Sequence, residues 1–286
     1  MGPTWKDYLL VLRRTCVATF EDRGLSIAKA AAYSALLSFF PVLTSAAAIL
    51  VQTKAEFVSR TISHFLFEVV PPGTQELVEY QFAVKGQRPT LLLATAGALS
   101  VWAASGVVES LLQGFQAAYR IERQRSIIRN AAVCTTLVML AGVPLLAACG
   151  LMLFGGFIDR MAAQALSGYP ALTRVALSWH LLSRLARYSV AFAAAVAVAM
   201  LLYYFGPLRK QRWNGVWRGA VLATVLWLLA TAGFGWYVRN IANYNVLYQS
   251  VATSITLLVW MYLMSLITLL GCEFNAEYER LPDKSL

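Results

Sequence analysis

The stretch NIANYNVLYQSVATSITLLVWMYLMSLITLLGC, Asn240 to Cys272, contains no charged side chain, and Glu273 follows it at once. A helix needs about 20 residues to cross about 30 Å of hydrocarbon, so this run can span a bilayer with length to spare. Further uncharged runs lie at Ala30 to Thr53, Pro89 to Val108, Asn130 to Ile158, Tyr188 to Leu208 and Gly219 to Val238. The chain of 286 residues is 59% hydrophobic and 13% charged, with a mean hydropathy of +0.60. A soluble helical protein with that composition would lack the polar surface to cover its apolar segments. The expected fold is therefore an all-α membrane protein with six transmembrane helices.

Orientation is read from the basic residues, because Lys and Arg concentrate on the cytoplasmic side of short loops. Lys6, Arg13, Arg14, Arg23 and Lys29 precede the first span. Arg120, Arg123, Arg125 and Arg129 follow the second, Arg209, Lys210, Arg212 and Arg218 follow the fourth, and Arg280 and Lys284 lie in the tail. Both termini are expected to be cytoplasmic. The net charge of +10 then reflects topology and contact with anionic lipid head groups, with no need for nucleic acid.

The expected organisation is an N-terminal cytoplasmic or interfacial segment at 1–29, the six-helix domain at 30–272 and a cytoplasmic tail at 273–286. Trp5, Tyr8, Leu9 and Leu12 fall at helical spacing beside Lys6, Arg13 and Arg14. This pattern suits a helix lying on an anionic membrane surface, and equally an amphipathic helix packing on the rest of the protein. The apolar patch Tyr8 to Leu12 is too short for the core of a cleavable signal peptide.

Two external helical caps are also expected. In the first, Val58, Ile62, Phe65, Leu66 and Val69 recur at helical spacing before Pro71-Pro72-Gly73. In the second, Leu172, Val175, Ala176, Trp179 and Leu182 follow the turn Gly168-Tyr169-Pro170. Small residues four apart, Ala96, Ser100 and Ala104, and Thr231 with Gly235, read as close helix contacts. Pro41 and Pro144 each remove a backbone donor inside a span and are candidate hinges. Cys16, Cys134, Cys149 and Cys272 show no metal or CxxC spacing and are expected to be free thiols.

The stretch AKAAAYSALLSFFPVL, Ala28 to Leu43, resembles the first span of the YihY/BrkB membrane proteins. The C-terminal half is similar to the same family in the order of Pro207, Gly219-Ala220, Trp227, Tyr248 with Ser250, Trp260 and the closing Gly271-Cys272-Glu273-Phe274-Asn275. Gln249 stands where that family usually has glycine, and Cys272 where it usually has alanine. The resemblance covers nearly the whole chain. It implies a multi-pass protein of the bacterial inner membrane. The family once carried a ribonuclease BN label, and some of its members are discussed as virulence factors or as exporters of lipid or small molecules.

The residues give little support to a nuclease. Hydrolysis of a phosphodiester needs metal ligands or a converging acid and base, whereas His64 and His180 both fall in expected external segments with no ligand spacing around them. No GxxxxGK[ST], GxSxG or HExxH motif occurs. No catalytic residue, cofactor or metal site is therefore expected.

Polar groups near the ends of the spans are the candidate site. Glu109 and Gln113 lie four apart, and Gln116 extends their face. An acid at this depth is expected to face the bundle interior or a wet cavity, or to pair at the boundary with Arg120, Arg123 or Arg129. Glu273 and Asn275 stand where the sixth span leaves the hydrocarbon. If the helix ends near Asn275 and does not continue through Arg280, its C-terminus disfavours the acid, so Glu273 and Asn275 are expected to contact the basic connections Arg120 to Arg129 or Arg209 to Arg218 and close the cytoplasmic side of a central cavity. Tyr33, Ser34, Tyr203, Tyr204, Tyr248 and Trp260 could line a pathway for an amphiphile, or serve as anchors and packing. The leading expectation is a transporter or exporter of a lipid or small amphiphilic solute. The alternative is a non-transporting scaffold in envelope assembly, with a homo-oligomer or an envelope protein as partner.

Overall fold

The computed structural model describes residues 5–52, 90–122, 125–166, 173–240 and 249–281. Among these the chain is all-α, with helices α1 (Trp5–Glu21), α2 (Gly24–Gln52), α3 (Thr90–Ala118), α4 (Ile127–Leu166), α5 (Thr173–Phe205), α6 (Trp213–Asn240) and α7 (Gln249–Glu279). The last six each contain a segment long and apolar enough to cross a membrane: Gly24–Ser45, Ala94–Ala118, Ile127–Met152, Leu182–Phe205, Trp213–Asn240 and Ser254–Glu279. The protein is thus a six-span membrane protein with an added N-terminal helix.

Each spanning helix packs on the next in sequence, and α7 returns to α2, which closes the ring. The sixth span also touches α3 and α1. Of its membrane segment 44% is buried, against 11 to 28% for the other five, so α7 is the central strut. Trp102, Val143, Leu146, Leu185 and Leu229 point outward, as apolar side chains can where the solvent is lipid.

Small residues set the closest approaches. A Cβ on Gly219 of α6 would run into the Gly271 carbonyl and the Asn275 amide. One on Gly271 of α7 would meet the Tyr203 hydroxyl and the Gly219 carbonyl. Neither position has room for a side chain, because at each one a backbone carbonyl of the other helix stands in the way beside buried side chains. The Tyr203 hydroxyl donates to the Thr268 carbonyl at 2.8 Å, which ties α5 to the same level of α7. Ser100 of α3 lies 3.1 Å, hydroxyl to hydroxyl, from Ser45 of α2, so the small face of α3 meets α2.

The segment expected as a separate second cap is helical from Thr173, but it runs without a break into the fourth span. Arg184 and Arg187 interrupt the hydropathy there, yet no Gly or Pro interrupts the backbone between Thr173 and Phe205, so one helix is continuous. The first cap lies outside the described residues. Pro41 and Pro144 both sit inside continuous helices. Near the first of them, the Ser45 hydroxyl donates to the Pro41 carbonyl at 2.9 Å.

α1 packs on the rest of the protein by one face. Val11, Thr15, Ala18 and Thr19 are buried on one face, while Leu9, Leu12 and Phe20 remain exposed. At the end of α1 the chain reverses through Arg23, in the left-handed region with φ 59°, and enters α2.

Gly219→Val and Gly271→Val should each overpack the α6–α7 crossing at a cost of roughly 1–3 kcal/mol or more. The expected readout is a lowered unfolding temperature in detergent and reduced accumulation in the membrane. Gly142→Val, where a Cβ meets nothing within 4 Å, should leave both unchanged.

Candidate polar site at the basic end of the bundle

The end of α7 is enclosed on all sides. Gly271 to Glu277 are buried without interruption, about two turns of helix. Within that stretch Glu273 is 3% exposed, Asn275 0% and Glu277 7%. Burying such groups costs free energy unless they are paired, and Asn275 is fully paired. Its Oδ1 accepts the Gly219 N–H at 2.7 Å, and its Nδ2 donates to the Val216 carbonyl at 3.0 Å. The amide therefore clasps the second turn of α6. Asn275 thus contacts the end of the connection Arg209 to Arg218, through the backbone of Val216 and the adjoining Gly219 and through no arginine, because the Gly219–Gly271 contact brings the helices together.

Glu273 is held differently. Its Oε1 is buried without a hydrogen bond, and the nearest cation is Arg280 Nη1 at 3.9 Å. Arg280 is committed elsewhere as well: Nη1 donates to Glu277, and Nη2 donates to the Ala118 carbonyl at 2.7 Å. It thus covers the carbonyl end of α3, where a cation is favoured. Asp22, in the turn between α1 and α2, completes the inner group, and its Oδ2 is buried without a hydrogen bond. Burial pushes the Asp22 carboxyl above its ordinary value, against the pull of Arg120 and Arg280. The partner of Glu273 is thus its own tail, and the basic connection after α3 contributes only through Arg120 in the surroundings.

Two further contacts fasten the tail. Glu279 pairs with Arg209 at 3.2 Å, and the Arg218 guanidinium lies 4.2 Å from the centre of the Tyr278 ring, which also neighbours Tyr8 of α1 at 5.9 Å. The start of α1, the end of α7 and the connection into α6 therefore meet at one end. Beside them lies an open cavity of about 440 Å³, lined by Arg13, Arg14, Glu21, Arg120 and Glu277 among others.

The remaining candidates do not join this group. Glu109 is exposed and accepts a hydrogen bond from Asn130 Nδ2 at 3.0 Å. Gln113 is exposed on the same face, and Gln116 is half-buried. The expectation that Glu109 faces the interior is thus corrected, because Leu111, Leu112 and Phe115 occupy the inward face of α3. Tyr33 is exposed on the outside of α2, and Ser34 packs against Gly106 of α3. Tyr203 is fully buried against Phe115, with ring centres 5.4 Å apart. Tyr204 stacks on Trp213 at 4.3 Å. The indole nitrogen of Trp260 is buried without a hydrogen bond, and Tyr248 lies outside the described residues. These aromatics share no common lumen among the described residues. Sequence reasoning missed Asp22 and counted Arg280 only towards topology. The signal for both was their place just beyond an apolar run.

No group of three or more His, Cys, Asp and Glu that could hold a metal ion occurs among the described residues. The four cysteines are free thiols.

Fold and site together define a polytopic α-helical integral membrane protein with a buried polar knot at one end. The chain belongs to the virulence factor BrkB family, whose model matches residues 16–285. It is 28% identical over 271 residues to the ribonuclease-like protein YfkH of Bacillus subtilis, a match covering 92% of this chain and 94% of that one. It is 26% identical over 258 residues to a UPF0761 membrane protein of Tolumonas auensis, covering 90% and 81%. A UPF0761 membrane protein of Alkalilimnicola ehrlichii matches at 26%, over 89% of this chain and 55% of its own greater length. No solved structure matches the chain.

Asn275→Leu should leave the α6 backbone groups facing an apolar side chain, at roughly 1–3 kcal/mol, read as a lowered unfolding temperature. Asp22→Asn should unfold at the same or a higher temperature than the parent at neutral pH, because the folded state disfavours the charged carboxylate. That advantage should shrink as the pH falls and the parent carboxyl takes up its proton in both states.

Proposed function

We propose that this protein moves a lipid or small amphiphilic solute across the bacterial inner membrane, with both termini cytoplasmic and the basic end in contact with anionic head groups. The observation that carries the reading is the enclosed carboxyl of Glu273, with one oxygen lacking a hydrogen bond, one turn of α7 inward from the Glu277 wall of an open cavity. An ionisable group kept at the end of a central span is expensive, and in membrane proteins such groups mark solute or proton paths. Arg13, Arg14 and Arg120 at the cavity supply the charge that a lipid head group or an amphiphilic anion would meet. The arginine-rich connections after α3 and α5 support the orientation. The ribonuclease-like wording belongs to YfkH, and nothing at this site reproduces a phosphodiester-cleaving constellation among the described residues.

One feature favours the alternative, a scaffold in envelope assembly. Near the basic end the bundle is packed by fully buried Phe115 and Tyr203, whose rings meet edge to face, so transport requires helices to separate there. The two readings differ in flux. Reconstituted into liposomes with fluorescent phospholipids, the protein should accelerate exchange between leaflets at least tenfold over protein-free vesicles, and Glu273→Gln should lower that rate. Flux equal to that of empty vesicles across a panel of lipids and solutes would overturn the transport reading and favour the scaffold.

Orientation has its own measurement. In a variant that keeps Cys16 alone, a membrane-impermeant maleimide should label inverted vesicles and spare intact spheroplasts.

A further inference from the structure

The cavity at the basic end has a shape and charge pattern that name a ligand. Leu10, Arg13, Arg14 and Val17 recur at i, i+3, i+4 and i+7, so they form one face of α1. Arg120 faces them from the turn that ends α3, where it takes the left-handed conformation with φ 52°. Three arginines therefore border one cavity, and none of them forms an ion pair among the described residues, although the charge of Arg120 also reaches Asp22. Glu277 on the far wall is already engaged by Arg280, which leaves Glu21 as the one acid of the lining that is not paired with that arginine.

Like charges brought together repel, and an anion that accepts from several of them relieves the repulsion. Guanidinium forks suit the oxygens of a phosphate, which they bind in pairs. Glu21 asks for the opposite, a hydrogen-bond donor a few ångströms from the phosphate. Phosphodiester head groups ending in an ammonium or in glycerol hydroxyls carry both features, whereas the trimethylammonium of choline has no N–H to give.

The source of the phosphate is the bilayer. Leu10 and Val17 flank the arginines with apolar surface, and the neighbouring face of α1 leaves Leu9, Leu12 and Phe20 exposed. A helix with that pattern sits in the head-group layer with its apolar side towards the acyl chains. The cavity, at about 440 Å³, has room for a head group with its phosphate and glycerol while the chains stay in lipid.

We propose that the groove between α1 and the turn after α3 binds a bilayer phospholipid by its head group, with the phosphate on Arg13, Arg14 and Arg120 and a terminal ammonium or hydroxyl on Glu21. Taking that lipid as cargo rests on the transport reading above. The binding itself does not.

The experiment uses the full chain, stripped of lipid in detergent and then exposed to phosphatidylethanolamine, phosphatidylglycerol or phosphatidylcholine of identical acyl chains. Bound lipid is counted by native mass spectrometry. The ethanolamine and glycerol lipids should bind roughly tenfold or more tightly than the choline lipid. An Arg13→Gln, Arg14→Gln double variant should lose that binding. Glu21→Gln should keep the phosphate contact and lose much of the preference over choline. Because Arg13, Arg14 and Glu21 are exposed, all three changes should leave the unfolding temperature near that of the parent. If the double variant fails to fold, Arg120→Gln and Glu21→Gln decide the matter in its place. Equal retention of all three lipids overturns the proposal, as does undiminished binding by the arginine variant. So does competition by inorganic phosphate as effective as that by the lipids, which would mark a site for a soluble anion. Selective binding without leaflet exchange in liposomes supports the head-group site and removes the transport reading. Leaflet exchange that survives in the arginine variant after binding is lost keeps transport and removes this groove from its path.

Discussion

The contact of the Gly219 and Gly271 backbones sets the height at which α6 and α7 cross, and the polar groups at the basic end take their places from it. A helix turns about 100° per residue, so Asn275 lies on the same side of α7 as Gly271, one turn on, while Glu273 and Glu277 lie on the opposite side. The crossing therefore gives Asn275 the backbone of α6 to bind. It also turns the two acids towards the α1–α2 corner and the end of α3, where Arg280 and Arg120 are. With a side chain at either glycine the helices would stand further apart, and Asn275 would no longer reach the Gly219 N–H.

The six spans were legible because hydrocarbon imposes a length and forbids charge, and those constraints act on each run separately. The split between cap and span four was misread for the same reason. Arg184 and Arg187 end an apolar run without ending a helix, since helix continuity depends on backbone formers and hydropathy does not report on them. Glu273 was legible as the first charge after a long apolar run, but the helix carries on to Glu279, so the acid does not sit at its carbonyl end. The surroundings of Glu273 were not legible, because Arg280 meets it by the curl of its own tail and Asp22 by the reversal at Arg23. Asn275 was expected against one of the basic connections and meets the end of the second at Val216, but through backbone groups, partners that no residue pattern displays. Of the two readings of Glu109, the inward one fails by rotation alone: Leu111, Leu112 and Phe115 claim the inward side, and the exposed acid accepts from Asn130, with no arginine bonded to it among the described residues.

α1 explains why the end of α7 can carry so much polarity without exposing it. Its Val11, Thr15, Ala18 and Thr19 face covers α7, and the threonine hydroxyls satisfy themselves on the carbonyls of Val11 and Thr15, at 2.9 and 2.8 Å. That face therefore presents methyl groups and no unmet donors to the wall it covers. Its other faces leave Leu9, Leu12 and Phe20 exposed and place arginines at the groove, so one helix separates an enclosed acid group from a charged, open one.

Arg280 stands between the two and shows how their needs differ. One guanidinium serves the carbonyl end of α3 through Nη2 and Glu277 through Nη1, and it has only a 3.9 Å approach left for Glu273. A lysine, a point charge without a fork, could not bridge the carbonyl and the acids in this geometry. On the inner side the result is a shortage of donors, seen in the unbonded oxygens of Asp22 and Glu273. On the outer side acceptors are short, seen in the three guanidiniums of Arg13, Arg14 and Arg120. Arg280 cannot correct both: Glu277 and the Ala118 carbonyl hold its guanidinium 3.9 Å from Glu273, and a donor adds no acceptor on the outer side. The imbalance is therefore built into the crossing of α6 and α7 and the placement of α1, and a phosphate on the outer side would relieve the part of it that the protein leaves open at the groove.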